Sequence, residues 1–390
     1  MLHANWREGV TRDGRAYAFT CPATPRYHHQ WHWDSCFHAI AWRHLDRARA
    51  RAELRTVLRS GRADGFLPHT AFWQRWPGWR RAPLYATARV RRNAATASIG
   101  PPVLPLAWEL VAGDDDAFRE EGLAPLAAHL DWLARERDPD GDGLLTILLP
   151  DESGMDDSPK YDAVYGRLAH WRPGYAVLVQ RCRRVGWDAA AYARRHDEHV
   201  EDVLVNVLYV LSLQAMARMS GEARWARRAE AVQQALLDRC HDPETGLFYD
   251  LAGGAERPVR VSTWSSLAPL ALTGLPDDVR RRLVEDHVLH PRRYGAPVGI
   301  PSVAMDEPSY RPGFDLWRCW RGPSWVNTAW LLVPALRALG YEDDGDRIVS
   351  SLLRAAREHG LREYYHPHTG HGLASRDFGW STLLLDLVAG

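Results

Sequence analysis

Apolar residues recur through most of this chain at helical spacing, and that period constrains the fold more than any single motif does. Trp225, Ala229, Val232 and Leu236 share one face, as do Leu126, Leu130 and Leu133, and Ile348, Leu352 and Ala356; residues three and four apart line one stripe of a helix. The two-residue alternation of a half-buried strand is nearly absent. The spacing predicts about twelve helices, at roughly 34–59, 97–112, 116–136, 172–184, 197–219, 221–239, 263–272, 276–289, 314–320, 323–339, 343–358 and 379–388. Between them, short polar turns such as Gly221-Glu222 and Tyr341-Glu342-Asp343-Asp344 alternate with long loops rich in Gly, Pro, Trp and Asp. Twelve helices then pair as six hairpins, with the long loops gathered at one end to build one site. No linker, low-complexity tract or composition break divides residues 1–390, which read as one all-α domain. An inner ring of helices inside an outer ring, the (α/α)6 barrel, satisfies this pattern, and so does a two-layer helical array.

Charge narrows the partners. Forty-nine basic and 49 acidic residues cancel, so no net field draws the chain to nucleic acid or to an anionic membrane. A small, neutral or mildly acidic partner fits better. The start, Met1-Leu2-His3-Ala4-Asn5-Trp6-Arg7-Glu8, lacks a basic segment followed by an apolar one, and no run approaches the length of a bilayer span; a cytoplasmic location is expected. The five cysteines, Cys21, Cys36, Cys182, Cys240 and Cys319, are odd in number and never spaced Cys-x-x-Cys. Reduced thiols without disulfides or structural zinc follow.

Tryptophan is unusually abundant, with 18 residues concentrated at 31–42, 73–79 and 317–330. Most must serve core packing; the remainder can act as platforms, because a sugar ring offers an apolar C–H face to an indole. Gln30-Trp31-His32-Trp33-Asp34 opens a long helix, so Asp34 is either a helix cap or a ligand for sugar hydroxyls beside Trp31 and Trp33. The loop Gly65-Phe66-Leu67-Pro68-His69-Thr70-Ala71-Phe72-Trp73 adds Phe66, His69 and Trp73 as candidate contacts. Trp320-Arg321-Gly322-Pro323-Ser324-Trp325 suits a pocket wall, although Arg321 also suits pairing with an interior acid. Trp380 begins the last helix.

Two acidic segments carry the chemistry. Asp151-Glu152-Ser153-Gly154-Met155-Asp156-Asp157-Ser158-Pro159 and Arg362-Glu363-Tyr364-Tyr365 each hold a carboxylate in an aromatic setting. Cleavage of a glycosidic bond needs one carboxyl to protonate the leaving oxygen and another to activate the attacking group. Of the first segment's acids, Glu152 can brace the loop, and Asp157 can either hold the Ser158-Pro159 turn or meet a hydroxyl. Asp138-Pro139-Asp140-Gly141-Asp142-Gly143 has the alternating acids of a calcium loop but no Glu at the required later position; it reads as an ordinary turn, and no metal or cofactor is expected.

The ordered motifs resemble glycoside hydrolase family 63, in particular its compact bacterial mannosylglycerate and glucosylglycerate hydrolases. The likeness runs from Tyr27 and Trp31-His32-Trp33-Asp34 through Gly65-Phe66-Leu67-Pro68-His69, Pro101-Pro102, Glu152-Ser153-Gly154-Met155-Asp156 and Trp320-Arg321-Gly322-Pro323 to Glu363-Tyr364-Tyr365. Trehalases, with a similar Glu-Ser-Gly-x-Asp signature, look more distant. The resemblance implies an (α/α)6 barrel and single displacement with inversion, with Asp156 as general acid and Glu363 as general base. It also implies a glycone subsite built from Tyr27, Trp31, Trp33, Asp34, His69 and Trp320. Gly154, Asp157, Phe66, Trp73, Arg321, Gly322 and Trp380 complete the candidate substrate contacts. Departures fall on the leaving-group side: Gly100 where the family has Gln, Cys319 where it has Tyr, and Ser375-Arg376-Asp377 where glycerate-releasing relatives tend to offer an amide. The expected reaction is hydrolysis of a small α-glucoside or α-mannoside. A carbohydrate-binding barrel without efficient hydrolysis, a trehalase-like disaccharide hydrolase and a His-dependent epimerase or lyase are the other readings.

Overall fold

Segments that are apolar on every side have to be surrounded by others, and six of them here close into a ring. The computed structural model describes residues 1–74, 95–168, 172–315 and 318–389. His32–Trp42 is buried at every position. It packs on Leu104–Ala112, which packs on Val203–Ser220; the ring continues through the 3-10 segment Trp264–Ala271, Val326–Ala338 and Gly379–Leu383, which returns to His32–Trp42. Outer helices follow inner ones in the chain: Arg47–Ser60, Asp116–Glu136, Ala223–Ala235, Asp277–Leu283 and Glu342–His359. These are amphipathic. Glu342–His359 buries Ile348, Val349, Leu352 and Ala355, with Glu342, Asp343 and Asp344 in its first turn and Arg357 and His359 in its last, the charge order that a helix dipole favours. The result is the all-α (α/α)6 barrel.

Several boundaries differ from the sequence reading. The helix expected over 34–59 is two, because Asp46 accepts hydrogen bonds from the N–H groups of Ala48 and Arg49 and starts Arg47–Ser60 afresh. Ala223–Ala235 and Asp277–Leu283 each pass into a π turn, at Leu236–Cys240 and Val284–Val288. The helix expected at 314–320 is absent among the described residues there, where loop hydrogen bonds replace it; 316 and 317 lie outside them. Trp76, Trp79, Trp171 and Trp317 also lie outside the described residues. Val203–Ser220 has the length and apolarity of a short membrane span, contrary to the expectation that no run approaches one, yet 72% of it is buried as the barrel's own core. A helix hydrophobic all round has one composition in either setting.

Short strands escaped the sequence reading because runs of two to five residues are too short to show a dependable period. Thr146–Ile147, Val200–Glu201, Leu251–Ala252 and Arg257–Pro258 form a four-stranded sheet in that order. Gln30–Trp31 pairs antiparallel with Thr70–Ala71, and Arg362–Tyr365 pairs antiparallel with Gly372–Arg376 across an irregular register. These strands stiffen the connections that enter the inner ring. Buried charge anchors them further. Lys160 Nζ reaches Asp202 (2.5 Å), Asp250 (2.9 Å) and Ser265 (3.0 Å), while Asp202 caps Val203–Ser220.

Glu152 braces the loop that follows the first of these strands. Its carboxylate takes two N–H groups of Arg137 (2.7 and 2.8 Å) and the backbone N–H groups of Ile99 (3.0 Å) and Leu148 (2.7 Å), with both side chains of the pair shut off from water. Breaking a buried pair strands the surviving charge. Glu152→Gln is therefore expected to cost about 3 kcal/mol. Urea unfolding should give a lower midpoint at unchanged slope.

Candidate active site

Every connection that enters the inner ring from the motifs above ends at one cavity. Its walls are Pro22, Tyr27, Trp31, Trp33, Asp34, His69, Gly154, Asp156, Cys319, Trp320, Trp325, Glu363, Phe378 and Trp380. Asp156 and Glu363, 207 positions apart by number (363 minus 156), thus face one pocket.

Glu363 sits on the Arg362–Tyr365 strand and is 4% exposed. One carboxylate oxygen accepts the Tyr27 hydroxyl (3.0 Å) and the other accepts the Ser375 N–H (3.1 Å). The irregular hairpin explains the second contact: Ala374 adopts φ 55°, and the following N–H turns toward the carboxylate. Burial and the adjacent Glu363 push the Tyr27 hydroxyl far above its ordinary pKa, so it donates.

Asp156 follows a tight corner. Gly154 has φ 75°, and a Cβ there would lie 2.3 Å from Trp33 Cζ2, so this backbone can pass under the indole only as glycine. Asp156 is an exposed residue that lines the cavity. Enclosure first, then Asp151 and Glu363, raise its pKa to about 6 against the opposing pull of His69. Water in the open pocket tempers that rise, and a sugar displacing this water strengthens it. Asp151 stands behind, taking a hydrogen bond from the Tyr175 hydroxyl (2.8 Å), and burial raises its own carboxyl to about 7.

Asp34 lies in the first turn of His32–Trp42, but that helix has no side-chain cap, and Asp34 lines the pocket instead. Burial, with help from Glu363 and Asp156, raises it to about 7. His69 hangs from the strand partner of Trp31, and burial lowers its pKa. The aromatic wall is continuous: Trp320 stacks on Trp325 at 3.8 Å and 7°, and Trp380 meets Trp33 edge-on at 5.2 Å and Trp325 at 5.3 Å.

Five candidate contacts are elsewhere. Phe66 is 3% exposed and packs on Trp132. Trp73 gives its indole N–H to Gln30 (2.6 Å) and stacks on Tyr17 in a separate small core. Asp157 accepts the N–H groups of Cys319 (2.5 Å) and Trp320 (2.9 Å), which makes it a clamp on the facing loop. Arg321 forks onto Asp162, a half-exposed acid where an interior one was the expected alternative, and Gly322 gives its N–H to Ser302. Conversely, Pro22, Cys319, Trp325 and Phe378 line the pocket without having been chosen. Cys319 and Trp325 stand in or beside the motifs above and Pro22 in none, and nothing in a linear sequence says which side chain of an aromatic cluster turns inward. At Gly100, a Cβ would come within 2.8 Å of His32 Cβ, so His32 occupies the space a larger residue would need.

The comparisons with known proteins agree with this geometry. The family model described as "Mannosylglycerate hydrolase MGH1-like glycoside hydrolase domain" matches residues 27–381. Mannosylglycerate hydrolases of Thermus thermophilus and Rubrobacter radiotolerans are 31% and 32% identical to this chain, over 97% and 100% of it and 98% and 95% of their own lengths. The crystal structure of the family 63 mannosylglycerate hydrolase of Thermus thermophilus in complex with glucose superposes with a TM-score of 0.85 at 28% identity, covering 100% of this chain and 98% of that one. With this family match, the same barrel and the two carboxylates at one pocket, the chain belongs to the MGH1-like members of glycoside hydrolase family 63, inverting α-glycoside hydrolases of small glycosides.

Proposed function

We propose that Asp156 is the general acid and Glu363 the general base in hydrolysis of a small α-glucoside or α-mannoside. The carrying observation is that these two carboxyls line one aromatic cavity with Asp34 between the tryptophans. Asp156, with its pKa raised to about 6, donates a proton to the glycosidic oxygen as the bond breaks. Glu363, oriented by Tyr27 and Ser375, takes a proton from water on the opposite face of the ring. Asp34 grips ring hydroxyls, and the indoles of Trp31, Trp33 and Trp380 hold the sugar's C–H faces.

The leaving group is mildly acidic in this reading. Beside Ser375 lies a second depression lined by Arg26, Arg362, His371 and Phe314, with Arg26 also set over the Tyr27 ring. Its cations suit a carboxylate such as that of glycerate. The family's polar residues at Gly100 and Cys319 are replaced, so contacts to that group differ from those of its relatives. Mannosylglycerate and glucosylglycerate, each against the matching glycerol glycoside, test this by release of reducing sugar. Faster turnover of the acid-bearing member supports the reading, and equal turnover overturns it.

Asp156→Asn and Glu363→Gln should each lower kcat/KM by roughly 10³-fold or more. Proton NMR before mutarotation should show the β anomer released by wild type from an α-linked substrate; an initial α anomer would demand a covalent intermediate and refute the roles.

Asp34→Ala should raise KM and lower kcat together, with an unchanged melting curve, because its side chain caps nothing. Trp33 offers no such clean test, being packed on Gly154, Trp320 and Trp380.

The pH profile has a definite sign. Because the acid must be protonated and its folded pKa is raised to about 6, kcat/KM should fall as pH rises through that region.

A further inference from the structure

Away from the catalytic pocket, four carboxylates from three stretches of chain converge. Asp140 and Asp142 come from the 138–143 loop, Glu201 from the strand Val200–Glu201, and Glu256 from the turn joining Leu251–Ala252 to Arg257–Pro258. One oxygen of each lies within 4.8 Å of the others. The sequence argument against a calcium loop was the missing Glu downstream. The fold brings two from elsewhere.

An exposed acidic patch would be unremarkable, but this one has a buried member. Glu201 is 5% exposed, one of its carboxylate oxygens lies in the cluster, and its Oε2 has no hydrogen-bond partner among the described residues. An isolated carboxylate so placed is costly. Arg239 pairs with Asp142 (2.9 Å) and with Glu256, so one guanidinium stands against four carboxylates. Asp138 holds the loop's shape by accepting the N–H groups of Gly141 (2.8 Å) and Gly143 (3.1 Å).

The donor set is all carboxylate oxygen, with no thiolate or imidazole, which selects a hard cation. Calcium binds oxygens at about 2.3–2.6 Å, so ligands on opposite sides of it are up to about 5 Å apart. The observed spread matches that diameter. We infer that Asp140, Asp142, Glu201 and Glu256 form a Ca²⁺ site that staples the four-stranded sheet. Glu201 pairs with Thr146 and Leu251 in that sheet, so the ion would tie three of its strands and the turn to the fourth. Thr146–Ile147 runs on into the segment bearing Glu152 and Asp156, and the ion's role is to stabilise that approach, with no part in proton transfer.

The test uses the full chain stripped with a chelator. Calorimetric titration with Ca²⁺ should report one site per chain, and saturating Ca²⁺ should raise the melting temperature by roughly 3 °C or more. Asp140→Asn, on the exposed rim, should weaken binding at least tenfold, and Glu201→Gln should abolish the thermal response. Should Glu201→Gln fail to fold, the Asp140→Asn titration decides. No binding heat and no thermal shift up to millimolar Ca²⁺, or a shift that persists in the variants that fold, overturns the site.

Discussion

The arrangement rests on a carboxylate that does no chemistry. Glu152 is completely buried and takes hydrogen bonds from Arg137, Ile99 and Leu148. One side chain thus ties the end of an outer helix, the entry to an inner helix and the strand before the catalytic loop. A buried ion pair of this kind adds little net stability compared with apolar packing, but it tolerates only one geometry. That makes it a locating pin: the Gly154 corner and Asp156 follow within four residues, so their position against Trp33 is set before any substrate arrives.

Charge crowding is the second theme, and the aromatic wall is what sustains it. Asp34, Asp151, Asp156 and Asp157 all have pKa values raised, chiefly by burial and then by neighbouring carboxylates, to between about 6 and about 7. In water such a cluster would ionise and repel. Beside Trp33, Trp320, Trp325 and Trp380, the pocket carboxyls Asp34 and Asp156 hold their protons to higher pH than they would in water. The hydrogen bonds then sort the acids by task. Asp157 has its oxygens occupied by the Cys319 and Trp320 N–H groups and joins the two halves of the wall. Asp156 opens to the cavity, and Glu363 is steered by Tyr27 and Ser375.

The departures from the family pattern show how one scaffold is varied. His32 fills the space over Gly100, Cys319 takes a wall position with a small side chain, and Ser375 serves through its backbone N–H. A backbone contact does not depend on which side chain is present, so Glu363 can keep its orientation whatever residue stands at position 375.

Much was legible before any coordinates. Helical period exposed the inner and outer helices because it is a local property, carried by residues three and four apart; the 116–136 and 343–358 segments were placed almost to the residue. Ordered motifs then pointed to the family, since each keeps its residue types in sequence. Two-residue strands and the break at Asp46 were beyond that reach, because neither leaves a period to detect. Tertiary packing alone decided which aromatic and acidic groups face the cavity. Phe66 and Trp73 went to the core, Arg321 to Asp162, Asp157 to a loop clamp, and Trp325 and Phe378 into the pocket. Side-chain direction at those positions is set by partners more than a hundred residues away for the clamp and by neighbouring layers for the rest, and such long-range contacts have no signature in a linear pattern.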